Sequence, residues 1–121
     1  VSMTKDQYKS LIFSNENQFQ AATFKYINNN YPKTRGLCFH VPNESASSDL
    51  MRMKLAAMGV VPGIPDIVFV SPVFGLELKM PKGTQSPKQQ RIEQVWTAAG
   101  IPYYLCRNAA EVLSVLENVL T

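Results

Sequence analysis

Cysteine is scarce in this chain, histidine and tryptophan occur once each, and no apolar run approaches the length of a membrane span. Each shortage removes a class of explanation. The two cysteines, Cys38 and Cys106, sit in strand-like runs (LCFHV and YYLCR). That placement favours buried free thiols in a reducing compartment over a disulfide. One histidine and two distant cysteines give no zinc-ligand spacing. Crossing a bilayer takes about 20 apolar residues, and no secretory leader pattern stands out, so the expectation is a soluble, cytoplasmic protein without membrane contact. Repeats and low-complexity tracts are also missing. The 121 residues are therefore read as one domain over 1–121, long enough to build a core without staples.

Acidic residues are missing from one particular place. None occurs between Glu77 and Glu93, whereas Lys79, Lys82, Lys88 and Arg91 all fall in that stretch. The overall charge is only +3, compatible with a polyanionic partner without requiring one. The local imbalance says more. Lys82, Gly83 and Thr84 follow a strand-like segment, where a nucleic-acid backbone could pass and contacts to phosphate would position it without reading its sequence. Lys33 with Arg35, and Arg52 with Lys54, are two weaker pairs that could extend the track. A solvated surface explains any one of these residues equally well. Nothing resembles a helix-turn-helix, a zinc finger or an aromatic-interleaved basic patch, so base-specific reading has little support.

The apolar pattern gives a mixed α/β order. MTKDQYKSLIF is a short helix or a ragged arm. Ser14 precedes a helical run in which Phe19, Ala22, Tyr26 and Ile27 share a face and Pro32 stops the helix. Leu37 to Val41 alternates as a strand, NESASS is a polar loop, and Asp49 is read as the N-cap of LMRMKLAAM, which Gly59 ends. DIVFV and FGLELKM, joined at Ser71-Pro72, read as a hairpin. Ser86-Pro87-Lys88-Gln89 fits a capping box with proline at the first helical position, opening a helix with Ile92, Val95, Trp96 and Ala99 on one side. IPYYLC is the last strand. Asn108 and Glu111 form a second capping box for a helix striped by Val112, Leu116 and Val119. A strand–helix–strand unit of this length favours parallel pairing. The expected fold is a mixed four-stranded sheet flanked by helices.

Charged residues within these strands carry the chemistry. In GLELKM, Glu77 and Lys79 lie on one face and Leu76, Leu78 and Met80 on the other, with the first two about 6.6 Å apart along the backbone. Asp66 opens the neighbouring strand and can reach the same volume. Two converging carboxylates favour a cation between them, and oxygen ligands suit magnesium or manganese. The backbone carbonyl of Leu78 could add a ligand, and Lys79 could hold a water or stabilise charge growing on a phosphate. This is a phosphodiester-hydrolysing site in outline. ELK alone is a common tripeptide, and an edge strand with a solvent-facing Glu77 and Lys79 would accommodate it. The longer pattern, PD, ten residues, ELK and then KMPKGTQSPKQQR, is much more specific.

Those motifs, GVVPGIPDIVF, GLELKMPKGTQSPKQQ and GIPYYLCRNAAEV, resemble the virus-type replication-repair nuclease (VRR-NUC) domains. This is a branch of the PD-(D/E)XK nuclease superfamily, and it also looks related to the catalytic domain of the Fanconi-associated nuclease. The similarity runs from about Asn15 to Ala110. It implies a restriction-endonuclease-like core, metal-binding carboxylates at Asp66 and Glu77, a catalytic lysine at Lys79, and further site residues at Gln89 and Glu16, with Gln20 matching a recurrent polar position. It also implies magnesium or manganese as cofactor. Stand-alone viral members resemble homodimeric enzymes acting on branched DNA such as Holliday junctions, which for a phage or other viral protein places the activity in the host-cell cytoplasm.

Independent checks are local. Glu16 and Gln20 are four apart and share a helical face, although acidic residues also gather at helix N-termini for dipole reasons. Gln89 serves as a capping residue as well as a site candidate. His40, alone in an alternating strand, reads as structural. The resulting expectation is a metal-dependent DNA endonuclease built on Asp66, Glu77 and Lys79, with Lys82, Thr84, Lys88, Arg91 and Gln20 along the DNA. Alternatives are a non-catalytic nucleic-acid-binding module of a replication or repair complex, and an interaction protein with exposed charged strands.

Overall fold

The computed structural model describes residues 2–42 and 48–121. The NESASS segment read as a loop lies almost wholly outside them. Among these described residues five α-helices, α1 (Lys5–Lys9), α2 (Glu16–Asn30), α3 (Asp49–Ala57), α4 (Pro87–Ala98) and α5 (Ala109–Leu120), and a short 3-10 turn (Pro32–Thr34) accompany four strands, β1 (Cys38–His40), β2 (Ile67–Val70), β3 (Val73–Leu78) and β4 (Tyr103–Cys106). The sheet runs in the order β1-β2-β3-β4. β1, β2 and β3 pair antiparallel, while β3 and β4 pair parallel across the α4 crossover. The expected α/β architecture, a mixed four-stranded sheet with flanking helices, is the one observed. Among the described residues no helix is long and apolar enough to cross a membrane.

Strand alternation separates two faces. Ile67 and Phe69 of β2 and Phe74, Leu76 and Leu78 of β3 are fully buried. They form one core with Tyr8, Phe19 and Ile27 from α1 and α2 and with Val112, Leu113 and Leu116 from α5. Each such side chain contributes about 1.5–3 kcal/mol by leaving water. The Phe69 and Phe74 rings stack at 4.1 Å, and the hydroxyls of Tyr8 and Thr23 satisfy each other at 2.6 Å inside the core. Cys38 and Cys106 are free and buried, and burial pushes both thiols up to about 12. The opposite face carries Gly75 and Glu77. Gly75 allows close cover, since a Cβ there would meet Pro65 Cγ at 2.6 Å and Trp96 Cζ3 at 2.8 Å. In this way α4 closes the β3–β4 half of that face.

Several boundaries differ from the sequence reading for local reasons. Ser48, not Asp49, caps α3: its backbone is extended and its Oγ accepts from Met51 N–H. Asp49 is the first helical residue and pairs with Arg52. β3 ends at Leu78 rather than Met80, because a turn closed by Gly83 N–H donating to the Met80 carbonyl (2.9 Å) takes the chain away. β4 starts at Tyr103, after Ile101 N–H is spent on the Trp96 carbonyl and Pro102 has none to offer. At α5, Asn108 caps as expected, but Glu111 takes the Arg107 N–H instead of returning to Asn108. On α4, Val95 remains 53% exposed, so its apolar side is narrower than the expected stripe.

Candidate active site

The hairpin places the two strand carboxylates together. Asp66 immediately precedes β2, and Glu77 lies near the end of β3, where Ile67 pairs with Leu76. The Leu78 N–H, freed by that geometry, donates to Asp66 Oδ2 at 2.7 Å. Glu77 is only 1% exposed, a charge-capable group inside a sheet. Both of its oxygens are held: Gln89 Nε2 donates to Oε2 at 2.7 Å and the Tyr103 hydroxyl donates to Oε1 at 3.3 Å.

Gln89 reaches Glu77 because α4 starts where it does. Its Oε1 accepts from Ser86 N–H (2.9 Å) and its own N–H donates to Ser86 Oγ (3.2 Å), completing the capping box. The carboxamide therefore fixes the helix terminus with its oxygen and the buried carboxylate with its nitrogen. Gly63 sets the spacing of this turn. Its φ is +89°, and a Cβ would meet the Lys88 carbonyl oxygen at 2.4 Å and Gln89 N at 2.9 Å. Gly63→Ala is accordingly expected to cost about 2 kcal/mol or more, from a left-handed backbone and a clash with backbone rather than a movable side chain. Urea denaturation checks this; a variant as stable as the wild type would show that the contact is slack.

Burial raises the affinity of both carboxyls for protons. For Glu77 desolvation is the largest cause, followed by the charge of Asp66 beside it; Lys79 and the Tyr103 hydrogen bond act the other way. Asp66 is raised by desolvation and held back mainly by the Leu78 N–H. Two adjacent desolvated carboxylates cannot both stay ionised unless a cation joins them. Without metal, the folded protein keeps a proton here that the unfolded chain has already released, so it binds more protons than the unfolded state. That contribution to stability is fully present below the ordinary carboxylate range and declines as pH rises above it. Melting temperature in chelator is expected to fall from about pH 5 to about pH 9, the value to which the Glu77 carboxyl is pushed, and Glu77→Gln to flatten the slope. A profile unchanged by the substitution would contradict the assignment.

The donor set is all oxygen. Among the described residues no third His, Cys, Asp or Glu completes a larger metal-holding cluster. Two carboxylates suffice for magnesium, which keeps several waters and takes its remaining ligands from substrate phosphate. Lys79 follows β3 directly, its N–H still donating to the Cys106 carbonyl at 3.0 Å, and its charge reaches both Asp66 and Glu77. The remaining candidates fall elsewhere. Lys82, Thr84, Lys88 and Arg91 are exposed along the loop after β3 and the first turns of α4. Glu16 is exposed in the first turn of α2, outside the acidic pair. Gln20 stands one turn on, its Oε1 buried without a hydrogen-bond partner.

Three residues join the site that the sequence did not assign to it. Tyr103 supports Glu77. Arg107 Nη1 donates to the Met80 carbonyl (3.2 Å) and to the Gly83 carbonyl, clamping the loop after Lys79. His40, read as structural, donates from Nδ1 to the Asp66 carbonyl at 2.7 Å and thereby fixes the backbone of an acidic residue. Each contact spans 24 or more residues, which local pattern does not reveal.

No protein-family model matches the sequence, and no curated protein does. The fold does find a match: a solved structure described as a "VRR_NUC domain protein" superposes with a TM-score of 0.74 at 18% identity, covering 91% of this chain and 91% of that one. The chain thus has the α/β core that the sequence motifs implied, a restriction-endonuclease-like arrangement.

Proposed function

We propose that this chain, sharing its fold with a VRR_NUC domain protein, is a metal-dependent DNA endonuclease in which residues 1–121 form one nuclease domain. The observation that carries this reading is the buried Glu77 beside Asp66, with Lys79 at their edge. A merely structural sheet has no use for such a pair, because burying one carboxyl against another costs several kcal/mol unless something compensates.

Asp66 and Glu77 would hold magnesium or manganese, with the Leu78 carbonyl as a further ligand. Bound there, the cation supplies Lewis-acid charge to a phosphodiester oxygen and makes water acidic enough to attack near neutral pH. Gln89 and Tyr103 keep Glu77 in one orientation. The Lys79 ammonium orients the attacking water or stabilises charge growing on the phosphate. Lys82, Thr84, Lys88 and Arg91 carry the DNA backbone by contacts that do not distinguish bases. The buried thiols fit a cytoplasmic setting.

Branched DNA, including four-way junctions, is the substrate class we favour, and a homodimer is the form that would cut it twice. One 13.5 kDa chain carries one such site, and paired cuts call for two-fold symmetry. The uncovered half of the sheet supports pairing: Leu37, Phe39, Val70 and Val73 at β1–β2–β3 are all at least 39% exposed. The test is a panel of end-labelled duplex, nicked, flapped and four-way DNAs with magnesium, manganese or chelator, alongside sedimentation of the protein. Metal-dependent products concentrated on branched DNA are expected. No product on any DNA with either metal would refute the enzyme reading.

A further inference from the structure

A cleft of about 890 Å³ opens between α3 and the first turn of α4, and its lining includes Lys79 and Gln89. Its two walls differ in chemistry. One is mainly apolar, built from Pro42, Met53, Leu55, Ala56, Val60 and Pro62, with Arg52 among them. The other carries Ser86, Lys88 and Gln89, with Lys79 also lining the cleft. Gln89 and Lys79 are therefore shared between cleft and carboxylates, so whatever fills the cleft lies next to the reacting group.

The apolar wall is not held open by the fold. No residue of α3 is buried; Met53 is 69% exposed and Val60 47% exposed. A double helix offers protein its phosphates and the polar edges of its bases; Arg52 on this wall is paired with Asp49, and the methionine, valine and proline around it have nothing to bond to either. The face of an unstacked base is different. It is broad, apolar and polarizable, and methionine is suited to it because its flexible thioether adapts to whichever ring is present. The volume is that of a small-ligand site rather than a duplex channel. Charge places the phosphate: Lys88 lines the cleft with the apolar residues, while the Lys79 charge acts on the carboxylates.

We propose that this cleft takes an unpaired nucleotide next to the scissile phosphate, its base against Met53 and Val60 and its own phosphate toward Lys88. This rests on the nuclease reading and refines it. The substrate must supply at least one unpaired or frayed nucleotide at the cut, and its identity matters little because every base has an apolar face.

The experiment measures binding in chelator and cleavage in manganese for three DNAs: a duplex, a flapped duplex, and the same flap with an abasic nucleotide next to the cut. Removing the base is expected to weaken metal-free binding about tenfold, the scale of one lost base-stacking contact, and to lower cleavage in parallel. In a Met53→Ser/Val60→Ser variant, both positions being surface-exposed, the same comparison should shrink to less than twofold. Base-independent binding and cleavage by the wild type would overturn the proposal. So would a variant that keeps the tenfold discrimination, or one that loses it only because sedimentation shows a dimer falling apart, which would assign the wall to a second copy. Binding is scored apart from cleavage. A protein that discriminates the abasic flap yet cuts no DNA would support the cleft's occupant and refute the nuclease.

Discussion

Glu77→Gln is expected to lower metal-dependent cleavage by about a thousandfold or more while making the metal-free protein more stable above neutral pH. The two effects have one origin. Glutamine keeps the shape of the side chain, with its carbonyl oxygen able to accept from Gln89 Nε2 and its amide able to donate to the Tyr103 hydroxyl, but removes the charge a cation needs. It equally removes the cost of ionising a group that is 1% exposed and lies beside Asp66. A residue kept for stability would show the reverse, a loss of stability on substitution. Functional sites often hold such liabilities. Single-turnover cleavage and thermal melts in chelator at about pH 8 measure both; a variant that is inactive and also less stable would place Glu77 among structural residues.

Lys79→Met is expected to slow cleavage about a hundredfold with little change in DNA affinity measured without metal. The methionine retains much of the aliphatic stem, which passes close to Gly83, and loses only the ammonium. Its backbone N–H still bonds the Cys106 carbonyl, so the end of the sheet is undisturbed. Lys82→Ala and Lys88→Ala provide the contrast. Both side chains belong to exposed residues, and their loss should weaken binding and reduce its salt dependence by about one ion each. Should Lys79→Met lose affinity as severely as rate, or cut normally once saturated with DNA, the lysine is a backbone contact and not part of the chemistry.

What could be read in advance was set by short-range rules. Strand alternation separates Glu77 from Leu76 and Leu78, and a hairpin through Ser71-Pro72 then has to bring Asp66 alongside. The Ser86–Gln89 capping box is a pattern of residues three apart, so the start of α4 was visible, as was the parallel β3–β4 pair from the length of the crossover. Tyr103 was not visible as a partner of Glu77, because its role depends on the register that sets it opposite Gly75, and register in a parallel pair is fixed by packing. Arg107 acts across the sheet end on a loop 24 residues earlier. The choice of Ser48 over Asp49 as cap turns on one extended backbone angle, since both side chains can serve. α3 shows the limit of periodicity most clearly: a helix with apolar residues suggests a buried stripe, and none of its side chains is buried.

The most direct test of the account is single-turnover cleavage of one labelled flapped DNA across a manganese titration, with wild type, Glu77→Gln and Lys79→Met side by side. The account predicts saturable, metal-dependent cleavage by the wild type. Glu77→Gln should stay inactive at every manganese concentration, and Lys79→Met should saturate over the wild-type range at about one hundredth of the rate. Cleavage by Glu77→Gln at near the wild-type rate, or wild-type cleavage that persists in chelator, would contradict it.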